Sequence, residues 1–293
     1  MTDRLAIALA QIDPAVGDVR GNADRIRDAR AEAAARDADL VVLPELALSG
    51  CPAEGLAAKP FFLAAVRTEV ERLAAETADG GPALLVGAPW IEGGRVFDAA
   101  LLLERGRIAA VRYRHEPADG DLPEAGGGFH PGPVPGPVNF RDVRLGVLVG
   151  ADIATPDVAE ALGECGAEIL LAPGAGPFDT QAMDRRLNLA VARVTETELP
   201  LVCVNAVGGQ DGLVFDGGSF ALGADRALVA QAARWREQVV ITRWQRGDAG
   251  WTCVHGEIAR PDDGLESVYR AMVLGLGDHV RKNGFPGVLI GLS

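Results

Sequence analysis

Apolar and polar positions alternate with two different periods along most of the chain. Short apolar runs predict buried strands, and longer segments whose apolar residues recur every three or four positions predict amphipathic helices. The strands predicted in this way are Leu5–Leu9, Asp39–Leu43, Ala83–Gly87, Leu145–Val149, Glu168–Ala172, Leu201–Asn205, Ser219–Leu222 and Gln238–Trp244. The predicted helices are 22–36 with Asn22 as the N-cap, Pro60–Thr77, Pro156–Gly163 and Thr180–Glu198. Because strands and helices alternate, and 96–103 with 107–113 predict an antiparallel pair, the pattern indicates a four-layer or doubly wound α/β fold with a large mixed sheet.

Two segments depart from this alternation. Residues 116–138 are rich in Gly, Pro and acidic residues, and a connection of this length is typical of a functional or disordered loop. The tail predicts a helix over Ser267–Arg281 and then an apolar strand over Val288–Leu292. Since the carboxyl end of a parallel strand normally leads into a loop and a helix, this strand predicts the start of a further β–α–β unit.

Composition narrows the possible partners. The 293 residues carry a net charge of −13, and the only lysines are Lys59 and Lys282. Nucleic acid is therefore not expected as a partner, because phosphate contacts need clustered Lys and Arg. The four cysteines lack C-x-x-C spacing and the histidines are isolated, so we expect a reduced, cytoplasmic chain without a metal site. No apolar stretch of about 18 residues occurs, so no membrane span is expected.

Three predicted strands end in residues that could carry chemistry. Leu145–Val149 stops at Gly150, just before a helix start at Thr155–Pro156. Another strand ends in Pro44-Glu45, and a third ends near Tyr113 and Arg114. Since the carboxyl ends of strands display reactive groups in α/β proteins, these three positions together predict a site.

The order and spacing of these motifs resemble the carbon–nitrogen hydrolase (nitrilase) superfamily. More closely, they resemble the N-terminal glutaminase (amidase) domain of glutamine-dependent NAD synthetases. The segments that carry the resemblance are Leu43–Gly50, Cys51–Leu56, Pro135–Val138, Val204–Asp211, Val214–Phe220, Tyr269–Leu276 and Asn283–Ser293. The resemblance covers essentially the whole chain and implies a nitrilase-like four-layer α-β-β-α sandwich with mixed sheets.

In that family a glutamate acts as general base, a lysine stabilises the oxyanion and a cysteine attacks the amide. The resemblance places Glu45 at the glutamate position. It places Tyr113, or Arg114 if the alignment shifts by one, at the lysine position, and Gly150 at the cysteine position. The substrate-facing segments also differ: 116–124 lacks the family's glutamine-binding pattern, and the family's Pro-Asn-Gly-Ser-Pro reads Pro-Gly-Ala-Gly-Pro at 173–177. The resemblance therefore implies a degenerate active site on an intact scaffold.

The resemblance also implies how the chain is organised. Residues 1–260 would form the nitrilase-like domain, and 265–293 would be a linker or the start of a synthetase domain that stops before its pyrophosphate loop is complete. No cofactor is expected in this chain, because ATP would belong to the synthetase domain. A homo-oligomer is expected as well.

Three functions remain open at this level. The first is a glutamine amidotransferase-type domain that is inactive as a glutaminase. The second is an active glutaminase or small-amide hydrolase with a relocated nucleophile, for which Cys51 and Cys165 are the cysteines considered. The third is a nitrilase-fold module that binds a ligand in the altered pocket.

Overall fold

The computed structural model describes residues 2–117, 128–210, 212–260, 262 and 264–292. The strands are β1 (Arg4–Gln11), β2 (Leu40–Val42), β3 (Ala83–Glu92), β4 (Arg95–Glu104), β5 (Arg107–Tyr113), β6 (Val138–Phe140), β7 (Val143–Val147), β8 (Ile169–Gly174), β9 (Leu201–Asn205), β10 (Val207–Gln210), β11 (Leu213–Asp216), β12 (Phe220–Leu222), β13 (Leu228–Gln231), β14 (Gln238–Gly247) and β15 (Gly250–His255). The helices are α1 (Val19–Ala34), α2 (Glu54–Ala57), α3 (Pro60–Glu76), α4 (Pro156–Glu164), α5 (Ala182–Thr197) and α6 (Gly264–Lys282). Short 3₁₀ turns occupy Thr77–Asp79 and Gly150–Ala154.

The described strands form two large mixed sheets and one small hairpin. The first sheet has the order β15-β14-β1-β2-β3-β4-β5, and the second has the order β13-β12-β9-β8-β7-β6. In the first sheet β1, β2 and β3 are parallel, while β7, β8 and β9 are parallel in the second. The hairpin of β10 and β11 stands apart from both. Each sheet therefore has a parallel centre whose strand ends can present side chains at one edge.

Apolar side chains fill three successive layers. One cluster packs α1 and α3 against the outer face of the first sheet, with residues such as Ile26 and Val66. A second lies between the two sheets and includes Leu9 of the first sheet and Val147 of the second. A third packs α4 and α5 against the outer face of the second sheet. Alternate residues of each strand point to opposite faces, so the buried runs of β1 and β8 serve two layers at once. The predicted α-β-β-α sandwich is confirmed.

The first helix does not begin where the sequence pattern predicts. Its N-cap is Asp18, whose carboxylate accepts a hydrogen bond from the Gly21 amide at 3.0 Å. The predicted N-cap, Asn22, is buried in the first turn, and its side chain exchanges hydrogen bonds with the backbone of Ala15 and donates to Leu48. The N-cap prediction is wrong because Asn22 satisfies a buried loop rather than its own helix.

The tail also differs from the prediction. Helix α6 forms over Gly264–Lys282, but residues 288–292 adopt no regular structure and their large apolar side chains are exposed. The strand prediction for Val288–Leu292 is wrong for this chain, because a strand needs a neighbour to complete its backbone hydrogen bonds and none of the described strands lies beside it. Over the part of the chain that is described, no helix is long and apolar enough to cross a membrane.

Helix α6 is fastened to the sandwich by a cluster of charges, named here the α6 clamp: Asp13, Asp278, Arg281 and Lys282. Asp13 follows β1 and is buried; it accepts from Lys282 Nζ at 2.5 Å and from Arg281 at 2.7 Å. Asp278 accepts from the backbone amide of Gly209 at 2.6 Å. The close approach is possible because Gly209 and Gly275 lack side chains: a Cβ on Gly209 would lie 2.8 Å from the Gly275 Cα.

Candidate active site

Glu45 lies just beyond the carboxyl end of β2, in the segment Leu43-Pro44-Glu45. Leu43 is buried in the first core layer, so the backbone of this segment is fixed by the sheet. The Glu45 carboxylate is half-buried and accepts a hydrogen bond from the Ala175 amide at 3.0 Å. Ala175 follows β8 of the other sheet, so Glu45 reaches across the interface between the two sheets.

Gly150 lies opposite Glu45, at the first position of the 3₁₀ turn that follows β7. Its φ is +53°, a left-handed conformation that favours glycine. A Cβ atom at this position would lie 2.5 Å from the Glu45 Cδ, 2.9 Å from Oε2 and closer still to Oε1. The carboxylate of Glu45 therefore occupies the space into which a side chain at position 150 would project.

Asp152 holds this turn in place. One of its carboxylate oxygens accepts from the Val149 amide at 3.0 Å, and the other accepts from the amides of His115 and Glu116 at 2.9 and 2.8 Å. The side chain is fully buried, and burial raises the pKa of Asp152 to about 6 despite these hydrogen bonds. Asp152 thus ties the turn after β7 to the segment after β5.

Asp98 of β4 connects Glu45 to Arg114. The Arg114 Nε donates to Asp98 Oδ2 at 3.2 Å, and both side chains are buried. Burial raises the pKa of Asp98 well above its ordinary value, and the neighbouring charge and hydrogen bond of Glu45 raise it further, while Arg114 opposes this shift. Asp98 therefore lies between the Glu45 carboxylate and the Arg114 guanidinium and links the two.

Tyr113 points away from this site. Its ring stacks on Phe97 with the centroids 4.4 Å apart, and its side chain packs against the layer formed by α1 and α3. Neighbouring residues of an extended segment point to opposite faces. Because Tyr113 faces the layer of α1 and α3, Arg114 faces Asp98 and the site. Of the positions predicted from the sequence, the structure brings together Glu45, Gly150 and, through Asp98, Arg114. It does not bring Tyr113 to them.

A cavity of about 280 Å³ opens beside Glu45 and Gly150. The residues that complete its lining come from the turn after β7, the end of β8, helix α5 and strand β9: Ala151, Ile153, Ala154, Ala172, Pro173, Gly174, Ala175, Gly176, Arg186, Leu189, Cys203 and Asn205. Most of these are small or apolar, so the cavity is an apolar cleft with one acidic and one basic wall residue. Neither Asn205 nor Arg186 was predicted as a site residue. From the sequence, Asn205 is part of a family motif and Arg186 is part of a predicted helix.

The four cysteines differ in their relation to this cavity. Cys203 lies on its wall, and burial raises the pKa of its thiol to about 11. Cys165 is exposed at the end of α4, where its carbonyl accepts from Arg144 near the amino end of β7, opposite to Gly150. Cys51 packs in a separate small cluster with Leu46. Cys51 and Cys165, the two cysteines considered from the sequence, therefore do not line the cavity. Cys203, which does, was not predicted.

Most of the segment 116–124, which the resemblance assigns to glutamine binding, lies outside the described residues. Among the residues that are described, no group of three or more His, Cys, Asp or Glu side chains could hold a metal ion.

The fold and the position of the site define the class of protein. The family model for carbon-nitrogen hydrolases matches residues 6–252, and the chain therefore belongs to the carbon-nitrogen hydrolase family. Its relatives define it more narrowly. It is 41% identical over 293 residues to a glutamine-dependent NAD(+) synthetase of Rhodobacter capsulatus, covering 100% of this chain and 53% of the relative. With the corresponding protein of Xanthomonas campestris pv. campestris it shares 36% identity over 298 residues, covering 99% and 52%.

Solved structures agree with these relatives. The glutamine-dependent NAD+ synthetase of Acinetobacter baumannii, in complex with ADP, superposes with a TM-score of 0.88 at 26% identity, over 97% of this chain and 53% of that one. An amidase variant from Nesterenkonia sp. AN1, with acrylamide added at its active-site cysteine, gives a TM-score of 0.70 at 28% identity over 81% and 92%. The chain is a nitrilase-fold homologue of the N-terminal part of glutamine-dependent NAD synthetases, and it spans about half the length of the curated relatives it matches.

Proposed function

We propose that this chain is the glutaminase-type domain of a glutamine-dependent NAD synthetase homologue in which the amide-hydrolysing site is silent. It would serve as a structural and assembly module for a synthetase domain. That synthetase domain would bind ATP and take free ammonia as its nitrogen source. The kinship with NAD synthetases supports the assignment of the domain, and the geometry at Gly150 supports its silence.

The observation that carries the proposal is the pairing of Gly150 with Glu45. Covalent amide hydrolysis needs a nucleophile held within reach of a base. The Nesterenkonia amidase has a cysteine for this purpose, to which acrylamide adds. The resemblance places Gly150 at that position, and glycine has no atom that can attack a carbonyl. The Glu45 carboxylate, the group that would act as base, fills the space where the nucleophile would stand.

The oxyanion donor is altered as well. Tyr113 is stacked on Phe97, away from Glu45. Arg114 lies at the site but donates to Asp98 and to the Glu116 carbonyl, at 3.2 and 2.9 Å. An arginine fork that is oriented by a buried carboxylate does not replace the compact ammonium of a lysine. Both the nucleophile and the oxyanion donor of the family are therefore replaced. Two replacements favour a silent site more strongly than one substituted residue would.

The second candidate function is a hydrolase that uses another nucleophile, and Cys203 on the cavity wall is the residue that favours it. Its raised thiol pKa, about 11, counts against this function because the thiolate is the reactive form. At neutral pH the Cys203 thiol stays protonated, and its reaction with an amide would be slow.

The surface of α6 and the tail supports the proposed assembly role. One face of α6 packs on β10 and β11 through Ala271, Gly275 and Asp278. The large apolar residues exposed on the rest of the helix and on the tail are Leu265, Tyr269, Met272, Val273, Leu276, Phe285, Val288, Leu289, Ile290 and Leu292. Large apolar side chains exposed in this number on one helix and its tail favour an interaction site. We propose that it packs against the synthetase domain.

An electrophilic glutamine analogue tests the silent site. The chain is incubated with 6-diazo-5-oxo-norleucine, digested and mapped by mass spectrometry in a Cys165→Ser background, which removes the exposed thiol. We expect no stoichiometric adduct on any residue that lines the cavity. A stoichiometric adduct on Cys203 would establish the second function instead. A Nesterenkonia-type amidase with its active-site cysteine serves as the control for the reagent.

A further inference from the structure

Arg186 of α5 is only partly satisfied in the wall of the cavity. Its Nη2 donates to both oxygens of Asp216 at 2.8 and 2.9 Å and to the Gly217 carbonyl at 3.2 Å. Its side chain is 14% exposed, yet the Nε and Nη1 atoms are buried and have no hydrogen-bond partner within the described part of the chain. Buried donors are nearly always paired in folded proteins, so these two atoms require an acceptor that the described residues do not supply.

The charge around Arg186 is also unbalanced. Asp216 is fully buried and accepts from Arg234 Nε at 3.0 Å in addition to Arg186. Among the described residues, Asp216 is the one carboxylate within ion-pair distance of these two arginines. Two guanidinium groups on one carboxylate leave an excess of one positive charge. A low-dielectric site with such an excess favours an anion.

There is room for an anion beside Arg186. A Cβ on Gly176 would lie 3.7 Å from Arg186 Nη1, at ordinary contact distance, so the glycine leaves room for an atom beside the guanidinium. The rest of the wall includes Ile153 and Leu189, which are apolar. The volume of about 280 Å³ accommodates a compact molecule rather than a nucleotide.

Glu45, on the same cavity, does not cancel this preference. Its carboxylate is next to Asp98, and beyond Asp98 lies the Arg114 guanidinium. The Ala175 amide also stabilises it. Among the described residues, Glu45 is not within ion-pair distance of Arg186 or Arg234, so the positive excess remains at the Arg186 end.

We infer that the cavity binds a small monocarboxylate with a compact apolar body, with its carboxylate on Arg186 and its body against Ile153 and Leu189. This inference goes beyond the proposed function, and it shares with that function only the expectation that the bound molecule is not turned over. The amide of the same molecule is the matched neutral ligand, because it keeps the shape and loses the charge.

Isothermal titration calorimetry with 4-methylpentanoate and benzoate, each against its primary amide, tests the inference. We expect one molecule of acid to bind per chain, and each acid to bind about tenfold to a hundredfold more tightly than its amide, since a charged hydrogen bond contributes roughly 1.5–3 kcal/mol. Equal affinity for acid and amide, or no binding of either acid, would overturn it.

Two variants and one control locate the site. Gly176→Ser places a hydroxyl beside Arg186 Nη1 and should weaken acid binding about tenfold while the protein stays folded, because serine fits the family pattern at this position and no left-handed φ is required there. Arg186→Gln should abolish the preference for acid over amide. Arg185→Gln is the matched control: Arg185 is exposed on the same helix and pairs with Asp179, so binding should be unchanged. Equal effects of the Arg185 and Arg186 variants would contradict the assigned site.

The same samples separate this inference from the proposed function. Ammonia is measured while the amide probes are incubated with the chain. Release of ammonia would overturn the silent site and leave the Arg186 site intact. Failure of the acids to bind without any release of ammonia would overturn the Arg186 site and leave the proposed function standing.

Discussion

At the scale of single residues, the Glu45 carboxylate and the Gly150 backbone share the space at the end of β7. The left-handed φ of Gly150 and the nearby carboxylate each oppose a side chain, and the two effects can be separated by substitution. Asp152 then fixes the turn through three backbone amides. The geometry of this site is therefore set by the Gly150 backbone and by the carboxylates of Glu45 and Asp152.

Replacing Gly150 with alanine measures the conflict with Glu45. We expect Gly150→Ala to lower the free energy of unfolding by about 1–3 kcal/mol, because a left-handed alanine is strained and its Cβ meets the carboxylate. Gly93→Ala is the matched control, since Gly93 has a φ of +55° but open space around it. In a Glu45→Ala background the cost of Gly150→Ala should fall to that of Gly93→Ala. Urea denaturation of the wild type, the three single variants and the Glu45→Ala/Gly150→Ala double variant measures these costs. An unchanged cost of Gly150→Ala in the Glu45→Ala background would contradict the conflict with Glu45.

Asp152 predicts a dependence of stability on pH. Because burial raises its pKa from 3.8 to about 6, the folded protein binds this proton more tightly than the unfolded chain. Its contribution to stability is complete below pH 3.8 and is lost as the pH rises through about 6. The stability of the wild type relative to Asp152→Asn should therefore decrease by about 3 kcal/mol between these pH values. Urea titrations at several pH values check this, and a difference that grows with pH would contradict it.

At the scale of helices and strands, hydrophobic periodicity predicted the central strands of both sheets and the helices that cover them. It missed short elements such as β6, β10 and β13, because their positions depend on contacts with distant segments rather than on local pattern. The wrong N-cap and the wrong last strand have the same origin. Asn22 is explained only by its contacts with Ala15 and Leu48, and 288–292 lacks a neighbouring strand.

The candidate site could be predicted only in part, because some of its residues are identified by contacts with distant segments. Strand ends and the family resemblance located Glu45, Gly150 and the pair Tyr113 and Arg114. Successive side chains along β5 point to opposite faces of the sheet, so only one of Tyr113 and Arg114 can face the site. The register of β5 against β4 decides which one, and the sequence does not give that register. Asp98, a single acidic residue in an otherwise apolar run, was a signal that could have been found. Arg186 could not be found in this way, because the lack of partners for its Nε and Nη1 among the described residues is visible only in three dimensions.

The α6 clamp predicts how the last helix is held. Lys282→Gln removes the shortest contact to buried Asp13 and leaves Arg281 as its partner, so we expect a loss of about 2 kcal/mol and faster amide exchange across α6. Arg270→Gln is the control, because Arg270 and Glu266 form an exposed i,i+4 pair worth a few tenths of a kcal/mol. Hydrogen exchange with mass spectrometry reads both, and equal effects would show that the clamp does not hold the helix.

At the scale of the whole molecule, the sandwich is intact, and the silent site is our proposal for its strand ends. The two sheets, their covering helices and three core layers follow the carbon-nitrogen hydrolase family, and the chain spans about half of its curated relatives. The exposed apolar surface of α6 and the tail is consistent with a role in joining a further domain. A scaffold can keep such a role after catalysis is lost, because packing and reactivity depend on different residues.

Release of ammonia from glutamine tests the silent site most directly. The purified chain at high concentration is incubated with glutamine, and ammonia is followed by a coupled assay beside the Cys203→Ala variant and a blank without protein. We expect the rate to equal the blank for both proteins, because no described residue at the strand ends is a competent nucleophile. Saturable release of ammonia by the wild type, abolished in Cys203→Ala, would contradict the account and identify Cys203 as the nucleophile.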